Sequence, residues 1–129
     1  MAEKTHPETK YWGKRINRGV PFKKQPVYKK VMPDGPTEEL NIRPSQKIRN
    51  HSSEFNWGYA GSGPAQLALA LLLAVTGNPE LAQAHYQNFK FSIVAGWGEE
   101  WSISTQEILE WLGKDRTQEV HRQIMFSKN

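Results

Sequence analysis

Apolar and polar positions are spread very unevenly along the 129 residues. From Pro64 to Val75 the string PAQLALALLLAV has one polar side chain, Gln66, so leucine and alanine surround the whole helical cylinder instead of forming one stripe. A helix of this kind, about 18 Å long at 1.5 Å per residue, has to be enclosed by other elements. Its approach, Phe55 to Gly63, has glycine at 58, 61 and 63 beside Trp57 and Tyr59, and reads as a tight turn that buries both rings. Pro64 suits the first helical position and Gly63 the cap, which puts Gln66 third. Thr76-Gly77-Asn78-Pro79 then reads as a compact joint: Gly77 for a left-handed exit, Asn78 for the next cap, Pro79 for the next first position.

The following helix spans about residues 79–95, with Ala82, Tyr86, Phe89 and Ile93 along its apolar stripe, and the short joint makes it an antiparallel neighbour of the first. His85 reads as a packing or rim residue, because no acid or second histidine stands four positions on. Gly96 to Trp101 breaks the helix, and Trp101-Ser102-Ile103 reads as a short extended piece. Ser104-Thr105-Gln106-Glu107 is a capping box with Ile103 and Ile108 at the staple positions. It predicts a helix over residues 105–112 that buries Ile108, Leu109, Trp111 and Leu112 and stops at Gly113. Residues 115–125 suit either a last helix, with Val120 and Ile124 inward, or a frayed tail.

The first half of the chain is different in kind. Val27 to Met32 is a strand candidate, Pro33-Asp34-Gly35-Pro36 a turn cluster, and Glu39 to Arg43 an alternating return strand. Two strands alone are marginal, so this hairpin is expected to lie on the helices through Val27, Val31, Leu40 and Ile42, leaving Lys29, Lys30 and Arg43 outside. Residues 44–52 read as polar connection with room for one helical turn. Residues 1–26, with three prolines, two glycines and no sustained period, read as a basic, aromatic-containing arm. The organisation expected is therefore this arm followed by one compact α+β domain over residues 27–129: a short N-terminal antiparallel hairpin packed on a small helical core of three or four helices.

Composition sharpens that picture in three places. The apolar fraction is only 37%, but five tryptophans each bring a large area to bury, so the packed part is larger than the count suggests. There is no cysteine, which excludes disulfides and thiolate chemistry and agrees with a cytoplasmic location. The longest apolar run, Leu67 to Val75, is nine residues where a membrane span needs about 20, and Met1 opens a polar stretch, so no membrane association is expected. The net charge of +4 hides an asymmetry: residues 1–53 carry twelve Lys or Arg against five acids, and residues 54–129 carry five against eight. The first part faces an acidic protein or nucleic acid more readily than the second does.

No set of residues with catalytic or metal-ligating spacing emerges. His6, His51, His85 and His121 are scattered, so neither metal nor cofactor is expected. The glycine turn is tested as an anion cradle at Gly61, Ser62 and Gly63, but no Lys-Ser/Thr pair follows it, and Pro64 removes one N–H. It stands as a weak anion-binding candidate. Ser62 lacks both the strand-to-helix elbow and a compelling His-Asp pair, so no catalysis is expected. The better candidates lie in the arm, where Tyr11, Trp12, Lys14, Arg15, Arg18, Lys23 and Lys24 interleave aromatics with cations in the manner of an interaction surface.

The string Phe55-x-Trp57-Gly58-Tyr59-x-Gly61-Ser62-Gly63-Pro64-Ala65-Gln66-Leu67-Ala68-Leu69-Ala70-Leu71-Leu72 resembles the hallmark of a family of small, uncharacterised bacterial, archaeal and phage or plasmid proteins. The likeness runs from about Val27 to Leu112 and departs at Ala60, where the family commonly has a second glycine. It implies a compact domain with a hairpin before the motif and two or three helices after it, and no activity to carry over. The mobile-element setting implies a role such as blocking a host defence or nucleic-acid-processing complex. The expectation is a non-catalytic interaction protein with a protein partner and room for a homodimer through an exposed aromatic face. The alternative is a module that binds nucleic acid through its basic N-terminal region without sequence preference.

Overall fold

The computed structural model describes residues 8–16 and 25–127, with side chains as far as residue 121. Among these residues four strands form one antiparallel sheet in the order β3-β2-β1-β4: β1 Thr9–Lys14, β2 Val27–Val31, β3 Thr37–Glu39 and β4 Glu100–Ser104. Four helices are present, α1 Arg43–Ile48, α2 Ser62–Thr76, α3 Pro79–Ser92 and α4 Thr105–Ser127, with a 3-10 turn at Val94–Gly96. The fold is α+β, with an N-terminal antiparallel hairpin on a helical core, as the hydrophobic pattern predicts.

The largest departure from that pattern lies at the N-terminus. Thr9–Lys14, expected in an arm, is an interior strand, with Trp12 opposite Tyr28 on one side and opposite Ser102 on the other. Its alternation is disguised. The inward positions are Tyr11 and Gly13, and the outward ones Lys10, Trp12 and Lys14, so glycine stands where an apolar side chain is expected and tryptophan where a polar one is. Gly13 is required by close approach: a Cβ there would lie 2.8 Å from Trp101 Nε1 and 2.9 Å from Trp57 Cη2. A boundary after residue 26 therefore separates two paired strands.

The hairpin of β2 and β3 is present, but its return strand is Thr37–Glu39 and not 39–43. Leu40 N–H still donates to Val27 C=O at 2.8 Å, after which Asn41 Oδ1 accepts from Arg43 N–H at 3.0 Å and turns the chain into α1. Val27 and Leu40 are buried as expected, whereas Val31 is 44% exposed and lines an open cleft with Leu73 and Ala74 of the following long helix.

Helix α2 is buried at every residue from Gly63 to Leu72. Each buried leucine is worth about 1.5–3 kcal/mol by the area it removes from water, so this rod is the centre of the core. It begins at Ser62 with Gly61 as cap, two residues earlier than expected. Pro64 is tolerated there because the first-turn N–H groups have no intrahelical acceptor in any case. Gln66 explains itself as a rivet. Its Oε1 accepts from the N–H groups of His51 at 2.6 Å and Ser52 at 3.1 Å, while its Nε2 donates to Ser45 Oγ at 2.9 Å and Arg49 C=O at 3.1 Å. The joint to α3 is as read, with Gly77 at φ 63° and Asn78 Oδ1 accepting from Glu80 and Leu81 N–H.

The capping box of α4 is complete: Ser104 N–H donates to Glu107 Oε1 at 2.9 Å, and Glu107 N–H to Ser104 Oγ at 3.1 Å. The helix does not stop at Gly113 but runs on to Ser127, so the two helices expected there are one. An interior glycine costs a helix about 1 kcal/mol relative to alanine, and the next turn is anchored. Asp115 Oδ2 lies 2.7 Å from His85 Nδ1, and Asn88 Nδ2 donates to both carboxylate oxygens. Leu109 and Val120, expected inward, are exposed; the side chain of Ile124 lies outside the described residues. No described helix is long and apolar enough to cross a membrane.

Candidate functional site

The helices pack on one face of the sheet, and the other carries the candidate site. Antiparallel pairing places Lys10, Trp12 and Lys14 of β1 beside Tyr28 and Lys30 of β2 and beside Glu100, Ser102 and Ser104 of β4. Among the described residues no helix lies over them. Trp12 and Tyr28 are cross-strand neighbours with ring centroids 6.0 Å apart and planes tilted by 32°. Next to them Lys10 stands directly opposite Lys30, an arrangement of like charges that destabilises a sheet unless something offsets it. Trp12, Lys10, Lys14 and Lys30 line an open depression of about 740 Å³ together with Met32 and Thr37.

The three ammonium groups share this face with two carboxylates, Glu39, opposite Tyr28, and Glu100, opposite Lys14. Lys14 Nζ lies 3.7 Å from Glu100 Oε2, with both side chains about two-thirds or more exposed, so solvent screens the pair and it is easily exchanged. Chemically the arrangement offers a flat aromatic surface, cations at its margin and the hydroxyls of Ser102 and Ser104.

The predicted interaction residues separate into different environments. Tyr11 faces inward and is buried, and burial pushes its phenol above the ordinary value against the opposing effect of a hydrogen bond with Thr105. Arg15 is committed inside the molecule: it donates to Asn56 Oδ1 at 2.9 Å and to Trp57 C=O at 2.7 Å and lies 4.9 Å over the Trp57 ring. Of the group, Trp12 and Lys14 alone lie on the open face, while Arg18, Lys23 and Lys24 fall outside the described residues. Lys10, Tyr28, Lys30 and Met32 belong to the face but do not stand out in sequence. Their signal is the every-second-residue spacing 10, 12, 14 and 28, 30, visible once β1 is known to be a strand.

The other tryptophans support the sheet from beneath. Trp57 donates from Nε1 to Gly98 C=O at 2.8 Å and meets Trp101 edge-on at 5.5 Å, and Trp97 stacks on Trp101 at 4.0 Å. Among the described residues the buried Trp101 Nε1 has no hydrogen-bond acceptor, and it sits against Gly13.

The glycine turn is closed by its own neighbours. A Cβ on Gly61 would lie 2.6 Å from the Tyr59 ring, and one on Gly63 would lie 2.6 Å from Asn56 Cβ. Trp57 is buried as expected, but Tyr59 is exposed. Ser62 caps nothing and, among the described residues, is bonded to neither His51 nor His85, whose rings pair with Tyr86 and Asp115. Among the described residues no three His, Cys, Asp or Glu side chains gather into a group that could hold a metal ion.

Comparison with known proteins gives a family and no function. The chain belongs to a family of unknown function, DUF6166, matched over residues 11–114. The match starts at Tyr11 and so takes in most of β1, where the likeness read from sequence begins only at Val27. No curated protein and no solved structure matches the chain.

Proposed function

We propose, for this member of a family of unknown function, a non-catalytic binding module that holds single-stranded nucleic acid on the open face of its sheet. The observation that carries the reading is the opposed pair Lys10 and Lys30 beside the Trp12–Tyr28 rings. An anionic strand relieves the repulsion between the two ammonium groups, and a base stacks on the indole, which is worth about 1–3 kcal/mol per base. Lys14 joins as a third phosphate contact when it leaves Glu100. The hydroxyls nearby do not form a base-reading set, so binding is phosphate-driven and without sequence preference.

An acidic protein surface is the second reading, favoured by one observation: Met32 exposes apolar area on the lysine face. A cytoplasmic, phage- or plasmid-borne inhibitor of a host defence or nucleic-acid-processing complex would use this chemistry, as would a homodimer closing over the aromatic pair.

Quenching of tryptophan fluorescence by a short oligo-dT, titrated at several salt concentrations, tests the first reading. Three phosphate contacts predict a log–log salt slope of about −2 at roughly −0.7 per contact. Trp12→Ala is expected to weaken binding by about 1–3 kcal/mol, and Lys10→Gln with Lys30→Gln to flatten the slope. Absence of binding at low salt, or equal binding by Trp12→Ala, rejects the proposal; an acidic protein captured through the same residues would then support the second reading.

A further inference from the structure

On the helix side of the sheet a cleft of about 460 Å³ opens where α2 leaves the core. The helix is buried from Gly63 to Leu72, but Leu73 is half-buried and Ala74 exposed, and both line the cleft. Leu40 and the exposed Val31 add to its apolar wall, and the buried Tyr11 lies against it from β1. Strand pairing brings a cation into this setting. Lys29, expected outside, stands opposite the buried Tyr11 of β1 and opposite Glu38 of β3, so it belongs to the core side of the sheet. It is half-buried and lines the cleft. Glu38 lies on the exposed outermost strand, and among the described residues no ion pair joins it to Lys29. Lys30 lines the cleft as well, so two lysines stand against one glutamate.

We infer that this cleft binds a single-chain amphiphile with an anionic head, a medium-chain alkyl carboxylate whose head is held by Lys29 and whose chain lies on Val31, Leu73 and Ala74. The volume falls within the range of small-molecule sites, about 300–1,000 Å³. The chain covers the apolar area left open where the leucine rod emerges, which strengthens binding about fourfold for each CH₂ group buried. The head is anionic because the lining carries two lysines to one glutamate. A half-buried ammonium beside apolar walls also attracts an anion more strongly than one in bulk water, since less solvent screens it. The carboxylate accepts a charge-assisted hydrogen bond from Lys29, which a neutral chain leaves unmade. The cleft lies across the sheet from Trp12, and the inference does not rest on the reading given to the outer face.

The test is a titration of the full chain with sodium octanoate below its micelle-forming concentration, followed through the NMR methyl signals of Val31, Leu73 and Ala74. Saturable shifts at one molecule per chain are expected. Hexanoate, two CH₂ groups shorter, should bind about tenfold more weakly. Octan-1-ol should also bind about tenfold more weakly than octanoate, for want of the charge-assisted hydrogen bond. Lys29→Met, which keeps the stem and removes the charge, should bind octanoate and octanol equally. Ala74→Phe fills the cleft from an exposed position; it should melt like the parent protein and show no shift at Val31. The comparison of octanoate with octanol uses the unaltered chain, so it decides the matter even where Lys29→Met does not fold. Shifts that do not saturate or that fall elsewhere, equal binding of octanol by the parent protein, a retained preference in Lys29→Met, or undiminished binding by Ala74→Phe would overturn the inference.

Discussion

Consecutive residues of β1 serve two unlike surfaces. Tyr11 and Gly13 face the core, where Gly13 leaves no room for a methyl group between two indoles. Lys10, Trp12 and Lys14 face away from the helices, where side chains are limited by charge and not by space. On the inner face shape decides what is tolerated, and an error costs folding. On the outer face an error leaves the fold intact and, under the proposed function, costs binding. One strand thus separates the packed core from the open face by the period of two alone.

Substitutions on the two faces should therefore divide cleanly. The largest effect is expected for Trp101→Ala on the inner face, which removes the ring packed between Trp57 and Trp97 and should cost about 3–5 kcal/mol in urea unfolding. A loss below about 1 kcal/mol would show that the aromatic stack does not carry the core. Gly13→Ala comes next, at about 1–3 kcal/mol from overpacking against Trp101 and Trp57; a stable Gly13→Ala protein would mean that the indoles move apart easily. Smallest is Lys10→Glu, three positions away on the opposite face. It turns a like-charge cross-strand pair into an opposite-charge one and should raise stability by about 0.2–1 kcal/mol while it abolishes oligonucleotide binding. A Lys10→Glu protein that is destabilised, or that binds as before, would erase the distinction between the faces.

The features legible in sequence share a physical character. The capping box Ser104 to Glu107 and the joint Gly77 to Pro79 depend on hydrogen bonds spanning three residues or fewer, so the residues that decide them are adjacent in the chain. The enclosure of α2 follows from a cylinder with leucine and alanine on every side. The end of α4 is not legible, because Gly113 marks a stop locally while Asp115, bonded to His85 thirty positions away, anchors the next turn. β1 is hidden for a related reason: its inward glycine and outward tryptophan contradict the pattern by which strands are recognised, and the partners that justify them are Trp57, Trp101 and Tyr28.

The candidate sites follow the same division. That Trp12 and Lys14 share the open face while Tyr11 and Arg15 are turned to the interior requires the sheet and the Asn56–Trp57 segment beneath it. What the sequence determined alone is a buried helical rod, its caps and joints, an α+β class and an excess of cations in the first half. Only the tertiary structure decided which cations share a face: Lys10 stands opposite Lys30 through strand pairing. Local hydrogen bonds and composition act over a turn or two of chain, whereas charge proximity depends on distances set by pairing and packing between segments twenty or more residues apart.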